Sequence, residues 1–344
     1  MQRRLFRISL LISSLLLIHF CSWAQYQKLY VAHYNVENLF DTINDPKTAD
    51  EDFLPTGSYG WTKERYEHKI KQLGRVIKDM NDGQGPDILG LCEVENELVV
   101  AALVKHLRAT TKTNYAYVHF DSPDGRGIDV AMIYNRKKFK VQHSKSLLVV
   151  LPGDSSRPTR DILVVSGQLP NKSKVHVLVN HWPSRRAGQD ASELARMAAA
   201  QVARRAVDSL HRTFAGSAVM VMGDFNDTPA DKAPLEVLGA VWPAITTAPL
   251  VNPFLPLHSD STQGSYRYRN NWQFIDHISL SPWLMQNDGK LRYVPGSAAA
   301  VKQDYQLEQE GRFKGNPFRS YAGNRYLGGF SDHLPVKIVL EWKK

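Results

Sequence analysis

Six apolar runs in this 344-residue chain end in, or enclose, residues able to do chemistry: Asn35, Glu93, His181, Asp224 with Asn226, Asp276, and Asp332 with His333. Reactive groups are well held where a rigid strand gives way to a loop, because the scaffold fixes their geometry. One carboxylate at a strand end is an ordinary turn-maker or helix cap; six such positions imply a cluster. Glu93, Asp332 and Asn35 offer oxygen donors, with no cysteine and few histidines at metal-binding spacing beside them. That set suits a hard cation, Mg²⁺ or Mn²⁺, over Zn²⁺. The chain holds no H-E-x-x-H, C-x-x-C, G-x-x-x-x-G-K-[ST] or G-x-S-x-G, so zincin, nucleotide-loop and α/β-hydrolase chemistries lack their signatures.

Runs rich in Val, Ile, Leu or aromatics predict the strands that would position these groups: Leu29–Asn35, Ile88–Cys92, Ile128–Tyr134, Asp161–Leu169, Lys174–Asn180, Ala218–Met222, Phe274–Ser279 and Leu334–Leu340. Tyr66, Ile70, Leu73, Ile77 and Met80 recur at spacings of three and four, which predicts an amphipathic helix over Thr62–Met80. Glu97–Leu107 and Ser192–Leu210 read as helices on similar grounds. Consecutive strands over 128–180, followed by mixed segments, fit an α+β sandwich better than a strictly alternating parallel sheet.

The chain is 43% hydrophobic and 22% charged, with 22 Gly and 18 Pro, which excludes disordered, collagen-like and disulfide-scaffold classes. Arg3, Arg4 and Arg7 precede the short apolar run Ile8–Phe20, and Ser22-Trp23-Ala24 places small residues where a signal peptidase cuts. Residues 1–24 are therefore expected to be an export signal and residues 25–344 a single domain, periplasmic or secreted. The run is shorter than the roughly 20 residues a spanning helix needs, so no stable membrane insertion is expected after cleavage. The bulky Phe20 before Cys21 argues against a lipid anchor. Loss of three arginines and no acid lowers the net charge from +9 to +6, a weak pointer to an anionic partner. Cys92 is left alone, so no internal disulfide forms, and its apolar surroundings disfavour a reactive thiolate.

Tyr34-Asn35-Val36-Glu37-Asn38, Leu91-Cys92-Glu93-Val94-Glu95, Asn180-His181-Trp182-Pro183-Ser184-Arg185, Gly223-Asp224-Phe225-Asn226, Ile275-Asp276-His277 and Ser331-Asp332-His333-Leu334-Pro335 stand in the order seen in the endonuclease/exonuclease/phosphatase superfamily. The chain resembles that superfamily over nearly its whole mature length; Gly-Asp-Phe-Asn with a later Ser-Asp-His is the most specific pair. The Asp50–Phe53 segment and Arg126-Gly127-Ile128-Asp129 look most like a secreted bacterial branch. The resemblance implies a DNase I-like four-layer α/β sandwich, two packed mixed β-sheets with helices on the outer faces. It also implies Mg²⁺-dependent cleavage of phosphoesters by water. By the same resemblance Glu93 is the principal metal ligand, with Asn35 and Asp332 as further ligands or ligand supports. Asp224 orients or deprotonates the attacking water, Asn226 holds that water or a phosphate oxygen, and Asp276 pairs with His333 to keep the ring cationic. His181 contacts phosphate or assists the leaving group.

Elementary chemistry supports those roles. A phosphodiester repels hydroxide until a cation and hydrogen-bond donors neutralise it; a carboxylate can then accept a proton and an imidazolium donate one. Arg126 offers a bidentate phosphate contact, or equally a solvated loop arginine. His277 alternates to the opposite strand face from Asp276. Glu95 is expected to begin the next helix, Asp129 to pair with a neighbour, Trp272 and Phe274 to sit in the core, and Arg185-Arg186 to face solvent or track a phosphate backbone. The modest positive charge favours a nucleic-acid substrate and an endonuclease. The alternatives are a phosphatase or sphingomyelinase-type enzyme on inositol phosphates or phospholipids, with Asn252–Leu257 as the one candidate lipid-docking loop, and an inactive relative that only binds. Nothing in the sequence specifies an oligomeric state.

Overall fold

Along Leu29–Tyr34 the apolar side chains divide between two buried faces: Leu29 and Val31 join one core, Ala32 and Tyr34 another. A strand buried on both sides reads as a near-continuous apolar run, and its neighbours must cover both faces. The computed structural model describes residues 26–343 apart from 154–158, 245–246 and 287–288. The expected export signal 1–24, with Cys21, lies outside them. Among the described residues no helix is long and apolar enough to cross a membrane.

The chain runs β1 (Tyr26–Leu39), α1 (Lys63–Asp79), β2 (Ile88–Val94), α2 (Glu97–Thr111), β3 (Tyr115–His119), β4 (Asp129–Asn135), β5 (Lys140–Leu147), β6 (Ile162–Gln168), β7 (Lys174–His181), α3 (Gln189–Thr213) and β8 (Ala218–Asp224). Shorter strands and turns follow before the last long strand, Val336–Lys343. The first sheet orders Arg292–Tyr293, Val336–Lys343, β1, β2, β4, β3. The second orders β5, β6, β7, β8, Asp276–Leu280, Leu250–Val251, Ala240–Val241. Both are mixed: β1/β2 and β7/β8 pair in parallel among antiparallel neighbours.

The sheets close on one another through Val31, Ile88, Met132, Val165, Val177, Met220 and Ile338. Leu73, Ile77, Leu103 and Leu107 of α1 and α2 cover the outer face of the first sheet. Ala199, Ala203 and Val207 of α3 cover the second. Each Leu or Val so buried contributes about 1.5–3 kcal/mol. The result is the expected four-layer sandwich. A side chain at Gly90 would place its Cβ 2.7 Å from Met222 Sδ and 3.1 Å from His33 Nδ1, so it would have to displace Met222 where the sheets meet.

Sequence reading missed β3 and β5. Both lie toward sheet edges, and the exposed, polar stretch Lys140–Lys145 carries little hydrophobic signal. It also placed Glu95 at the start of α2. Instead Asn96 caps that helix, accepting from the backbone N–H of Leu98 and Val99, while Glu95 turns back to accept from Asp41 N–H at 2.6 Å.

Candidate active site

Sheet register sets the first part of the site. His181 is paired with Asp224 across the parallel β7/β8 ladder, and Asp224 with Asp276 on its antiparallel neighbour. Three expected residues therefore share one rung. In the first sheet Glu93 interrupts the β2/β4 ladder, whose pairing shifts between Cys92 and Val94. Its φ of 63° is left-handed, as are those of Glu37 (50°), Asn38 (53°) and Asn226 (51°). Such conformations cost of order 1–3 kcal/mol each for residues other than glycine and cluster at functional sites. All four of these residues border one or other of two cavities that meet at Glu93 and Asp332.

Asn35 joins the two sheets. Its Oδ1 accepts from Glu37 N–H at 2.9 Å, which turns its Nδ2 toward acids: it donates to Glu93 Oε1 at 3.3 Å and to Asp224 Oδ2 at 3.0 Å. Asn35 therefore orients carboxylates, which is the supporting one of the two roles expected of it. Glu93 Oε2 accepts from Asn38 N–H at 3.0 Å, and His181 Nε2 lies 3.8 Å from both Glu93 Oε1 and Asp224 Oδ2.

Asp276 and His333 form the expected pair, His333 Nδ1 donating to Asp276 Oδ2 at 2.7 Å with both groups buried. Burial alone would lower the imidazole pKa, but the Asp276 and Asp224 charges outweigh it and hold His333 well above the ordinary histidine value. For Asp276 burial acts upward, yet the His333 charge and hydrogen bonds from His33 and His333 pull it below the usual range. Asp224 moves the other way, to about 7, through burial and the neighbouring Asp276 charge. Adjacent carboxyls whose environments drive them apart are a recognised mark of acid–base sites. His181 is depressed well below its ordinary value by burial and the Arg160 and Arg126 charges, so it stands as neutral imidazole.

The surrounding chain braces these groups. Ser331 Oγ donates to Asn35 O at 2.7 Å and accepts from His333 N–H at 3.1 Å, which ties the Ser331–His333 turn to β1. Trp182 O accepts from Arg160 Nη2 at 2.8 Å and Asn226 Nδ2 at 3.0 Å, while Asn226 N–H donates to Asp224 Oδ1 at 2.9 Å. The Asn226 backbone N–H braces Asp224 and one side-chain N–H is engaged by Trp182 O, which leaves the amide's second N–H as the donor for a water or phosphate oxygen in the cavity. Arg160 pairs with Asp124 at 3.0 Å, and Arg126 with the same acid at 3.7 Å.

Glu93, Arg126, His181, Asp224, Asn226, Asp332 and His333 all line one cavity of about 680 Å³. Convergence of the expected residues is thus achieved, with Asp276 beneath His333 and Asn35 between the acids. Asp332 stands beside Glu93 but pairs with Arg319, whose Nε also lies 3.6 Å from Glu37 Oε1. Glu37 is raised to about 7 by burial and the Asp332 charge, and Lys69 Nζ approaches it at 3.7 Å. Glu93 and Asp332 share the cavity wall and offer the oxygen donors a hard divalent cation takes, while Glu37 is held by Lys69, Arg319 and Ser320 N–H. Asp224, Asp276 and His333 also bring donor atoms within 4.8 Å of one another, but Asp276 and His333 are bonded to each other and form an acid–base array.

Sequence reasoning did not single out Glu37, Lys69, Arg319, Arg160 or His33 for the site. Glu37 stands two residues after Asn35, and His33 interrupts the apolar run of β1 two residues before it; those were the available signals, and Lys69, Arg319 and Arg160 left none. Arg185, half-buried on the cavity wall, bonds Asn226 O, Asp231 and Asp227, while Arg186 is exposed and lines the same cavity. His277 stacks on Phe225 at 4.0 Å, away from Asp276's partners. Asp129 accepts from His119 and Ser122, and Cys92 is buried. Phe254 of the Asn252–Leu257 loop is packed in the core with Phe274, which removes the candidate lipid-docking element.

A family model described as "Endonuclease/Exonuclease/phosphatase family" matches residues 30–342. No curated protein matches the chain significantly. Among solved structures, truncated TDP2 of Caenorhabditis elegans is 18% identical with a TM-score of 0.54, over 92% of this chain and 97% of that one. A mannosyl-6-phosphatase of Bacteroides thetaiotaomicron is 17% identical with a TM-score of 0.52, over 91% and 99%. The human Nocturnin catalytic domain with bound sulfate is 14% identical with a TM-score of 0.54, over 93% and 97%. At these identities the likeness is one of fold.

Proposed function

This chain belongs to the endonuclease/exonuclease/phosphatase family, and on that premise we propose that it is an exported, divalent-cation-dependent hydrolase that cleaves a phosphoester with an activated water. The observation that carries this reading is the rung His181–Asp224–Asp276, with Asp276 bonded to His333 and Asn35 linking Asp224 to Glu93.

A cation held by Glu93 and Asp332 supplies Lewis-acid neutralisation of the phosphate when bound. Every other step belongs to side chains. Asp224, fixed by Asn226 N–H and Asn35 Nδ2, accepts the water's proton at Oδ2 and orients the attack. His333, kept cationic by Asp276, donates toward a phosphoryl oxygen, and Asp276 also fixes its tautomer. Neutral His181, 3.8 Å from Asp224, gives a second imidazole contact for phosphate or leaving group. Arg126 stands on the cavity wall as a cationic anchor.

On substrate, the nucleic-acid expectation drew support from Arg185-Arg186; Asp227, Asp231 and Asn226 O hold the Arg185 guanidinium, which leaves Arg186 as the exposed member of the pair on the cavity wall. With the basic track so shortened, a small phosphoester is the favoured reading. A polynucleotide is the second, favoured by the Tyr266–Gln273 hairpin, where Tyr266 and Tyr268 border the cavity and Arg269 lies 5.1 Å over the Tyr268 ring. An inactive binding role is disfavoured because each expected position carries a competent group.

The test is a panel of plasmid DNA, RNA, bis(p-nitrophenyl) phosphate, sugar and inositol phosphates and sphingomyelin, with Mg²⁺, Mn²⁺ or chelator, beside Asp224→Ala. At least one phosphoester should turn over, with loss on the order of 10²-fold or more in the variant. Chelator-insensitive turnover, or unchanged activity in Asp224→Ala, overturns the reading.

A further inference from the structure

Asp124, Gly125, Arg126 and Gly127 make a tight turn beside the catalytic cavity. Gly127 N–H donates to Asp124 O at 2.9 Å, and Arg126 N–H donates to Asp124 Oδ1 at 3.0 Å. An Asp at the first position of such a turn bonds the backbone two residues on. The turn is fixed from outside as well. Ala49 N–H donates to Gly125 O at 2.9 Å, and a Cβ at Gly127, whose φ is 70°, would meet the Thr48 side chain at 2.9 Å.

The acid of this turn sits between two guanidinium groups. Its Oδ2 accepts from Arg160 Nη1 at 3.0 Å, and its Oδ1 faces Arg126 Nε at 3.7 Å. The two arginines differ in what remains to them. Arg160 is buried, and its Nη2 is taken by Trp182 O at 2.8 Å. The Arg126 side chain is 38% exposed and lines the cavity with Glu93 and His181. Among the described residues neither of its Nη groups has a partner.

We propose that Asp124 is a positioning residue: it aligns the Arg126 guanidinium so that the Nη end meets the phosphate the centre hydrolyses, while Arg160 neutralises the acid from behind. The inference rests on the phosphoesterase reading and deepens it.

Charge counting supports the assignment. An Asp–Arg pair alone is neutral and leaves little attraction for an anion. Here one carboxylate meets two guanidiniums, so the group keeps one net positive charge, and of the two arginines Arg126 alone lines the cavity. Conformational freedom points the same way. A long arginine side chain loses much rotamer freedom when it binds; a partner at Nε orders it beforehand, which raises affinity by preorganisation. The Nη end then offers a fork for two phosphate oxygens, which a lysine cannot reproduce. The bonds also run on to the base. Trp182 O, which takes Arg160 Nη2, takes Asn226 Nδ2 too, and Asn226 N–H braces Asp224. Anion anchor and water-activating carboxylate are thereby tied to one frame.

The experiment uses the cation-loaded protein and the fastest phosphoester of the panel above, with calorimetric binding of inorganic phosphate beside it. Arg126→Ala, Arg126→Lys, Asp124→Asn and the double variant Asp124→Asn/Arg126→Ala would be compared. Arg126→Ala should raise KM and the phosphate Kd by on the order of tenfold, with kcat changed far less, because the anchor holds substrate and transition state alike. Arg126→Lys keeps the charge without the fork and should stay closer to Arg126→Ala than to the unsubstituted protein. Asp124→Asn should raise KM by at least roughly threefold, and should add nothing to KM once Arg126 is absent, since it acts through that side chain. Full recovery of KM in Arg126→Lys, or an equal effect of Asp124→Asn with and without Arg126, overturns the positioning role and leaves the hydrolase intact. Asp124→Asn strands the buried Arg160 charge and can unfold the chain; the Arg126→Lys comparison, made outside the core, then decides alone. Absence of turnover of every phosphoester overturns the hydrolase reading, and this inference with it.

Discussion

Nδ1 of His333 and Oδ2 of Asp276 lie 2.7 Å apart, both buried, and Asp276 Oδ1 faces a second imidazole, His33 Nε2, at 3.5 Å. One carboxylate thus serves a ring at the cavity and a ring in the core between the sheets. The first contact keeps His333 protonated; the second sets an imidazole against the carboxylate's other oxygen.

Asp276→Asn should remove the charge in the first contact. The raised His333 pKa falls, because burial is then opposed only by the Asp224 and Asp332 charges. The cationic form is then lost at lower pH, so the alkaline limb of the pH–rate profile moves down. Activity at pH 8 should drop on the order of 10²-fold or more, with a smaller loss at pH 6. Imidazole resonances followed through a pH titration check the cause directly; an unmoved His333 titration contradicts it.

Glu93→Gln keeps the acceptor that Asn38 N–H uses but removes one negative charge from the cation set. Affinity for Mg²⁺ or Mn²⁺, read by calorimetry, should weaken by at least roughly tenfold, a scale that even outer partners of a metal site reach. In the unsubstituted protein a cation at 100 times its Kd should stabilise by about 2.7 kcal/mol, and chelator should reverse this. Equal thermal shifts in protein and variant exclude Glu93 as a ligand.

Lys69→Met tests the buried lysine. Its Nζ donates to Ser320 Oγ at 2.6 Å and Phe330 O at 2.7 Å besides facing Glu37, with the side chain only 2% exposed. Removing one member of a buried ion pair costs about 3–5 kcal/mol. Urea unfolding should show that loss, with the slope unchanged if the native fold persists.

Glu95 gives a stability prediction outside the catalytic cavity. Burial, then the charges of Asp41, Asp50 and Asp45, raise its pKa from 4.5 to about 8 against the lowering effect of the Asp41 N–H bond. The folded state therefore holds a proton that the unfolded chain has released, and stability falls as pH rises from about 4.5 to 8 and levels off above. Glu95→Gln, which retains an oxygen for Asp41 N–H, should flatten that part of the profile. Denaturation midpoints at pH 5, 6.5 and 8 decide it; parallel curves for the two proteins reject the assignment.

Much of this was legible in the sequence for a physical reason. Strands such as β2 and β8 are buried on both faces, so their apolar runs are unbroken, and the polar residue that ends each run stands out. The half-exposed edge strand β5 has no such contrast. Glu93, Asp224, Asp276 and His333 were legible because each is an acid or imidazole interrupting apolar surroundings. Lys69 was not, because a lysine one position before Ile70 looks like the solvated side of an amphipathic helix. Arg319 was not, because its partner Glu37 lies at the far end of the chain and Asp332 is brought to it only by the intervening turn. The direction of the Asn35 amide was hidden as well; it follows from the left-handed turn at Glu37, which claims the oxygen.

The shared rung of His181, Asp224 and Asp276 has a further consequence. Lateral separation between those three groups is dictated by the repeat of the backbone ladder, about 4.7–4.9 Å per strand, and owes nothing to the loops around the rim. Those loops can be lengthened or exchanged for new specificities while the reacting atoms keep their places, and what loses catalysis wholesale is a slip of one strand past its neighbour, which would swing a whole row of side chains to the wrong side at once.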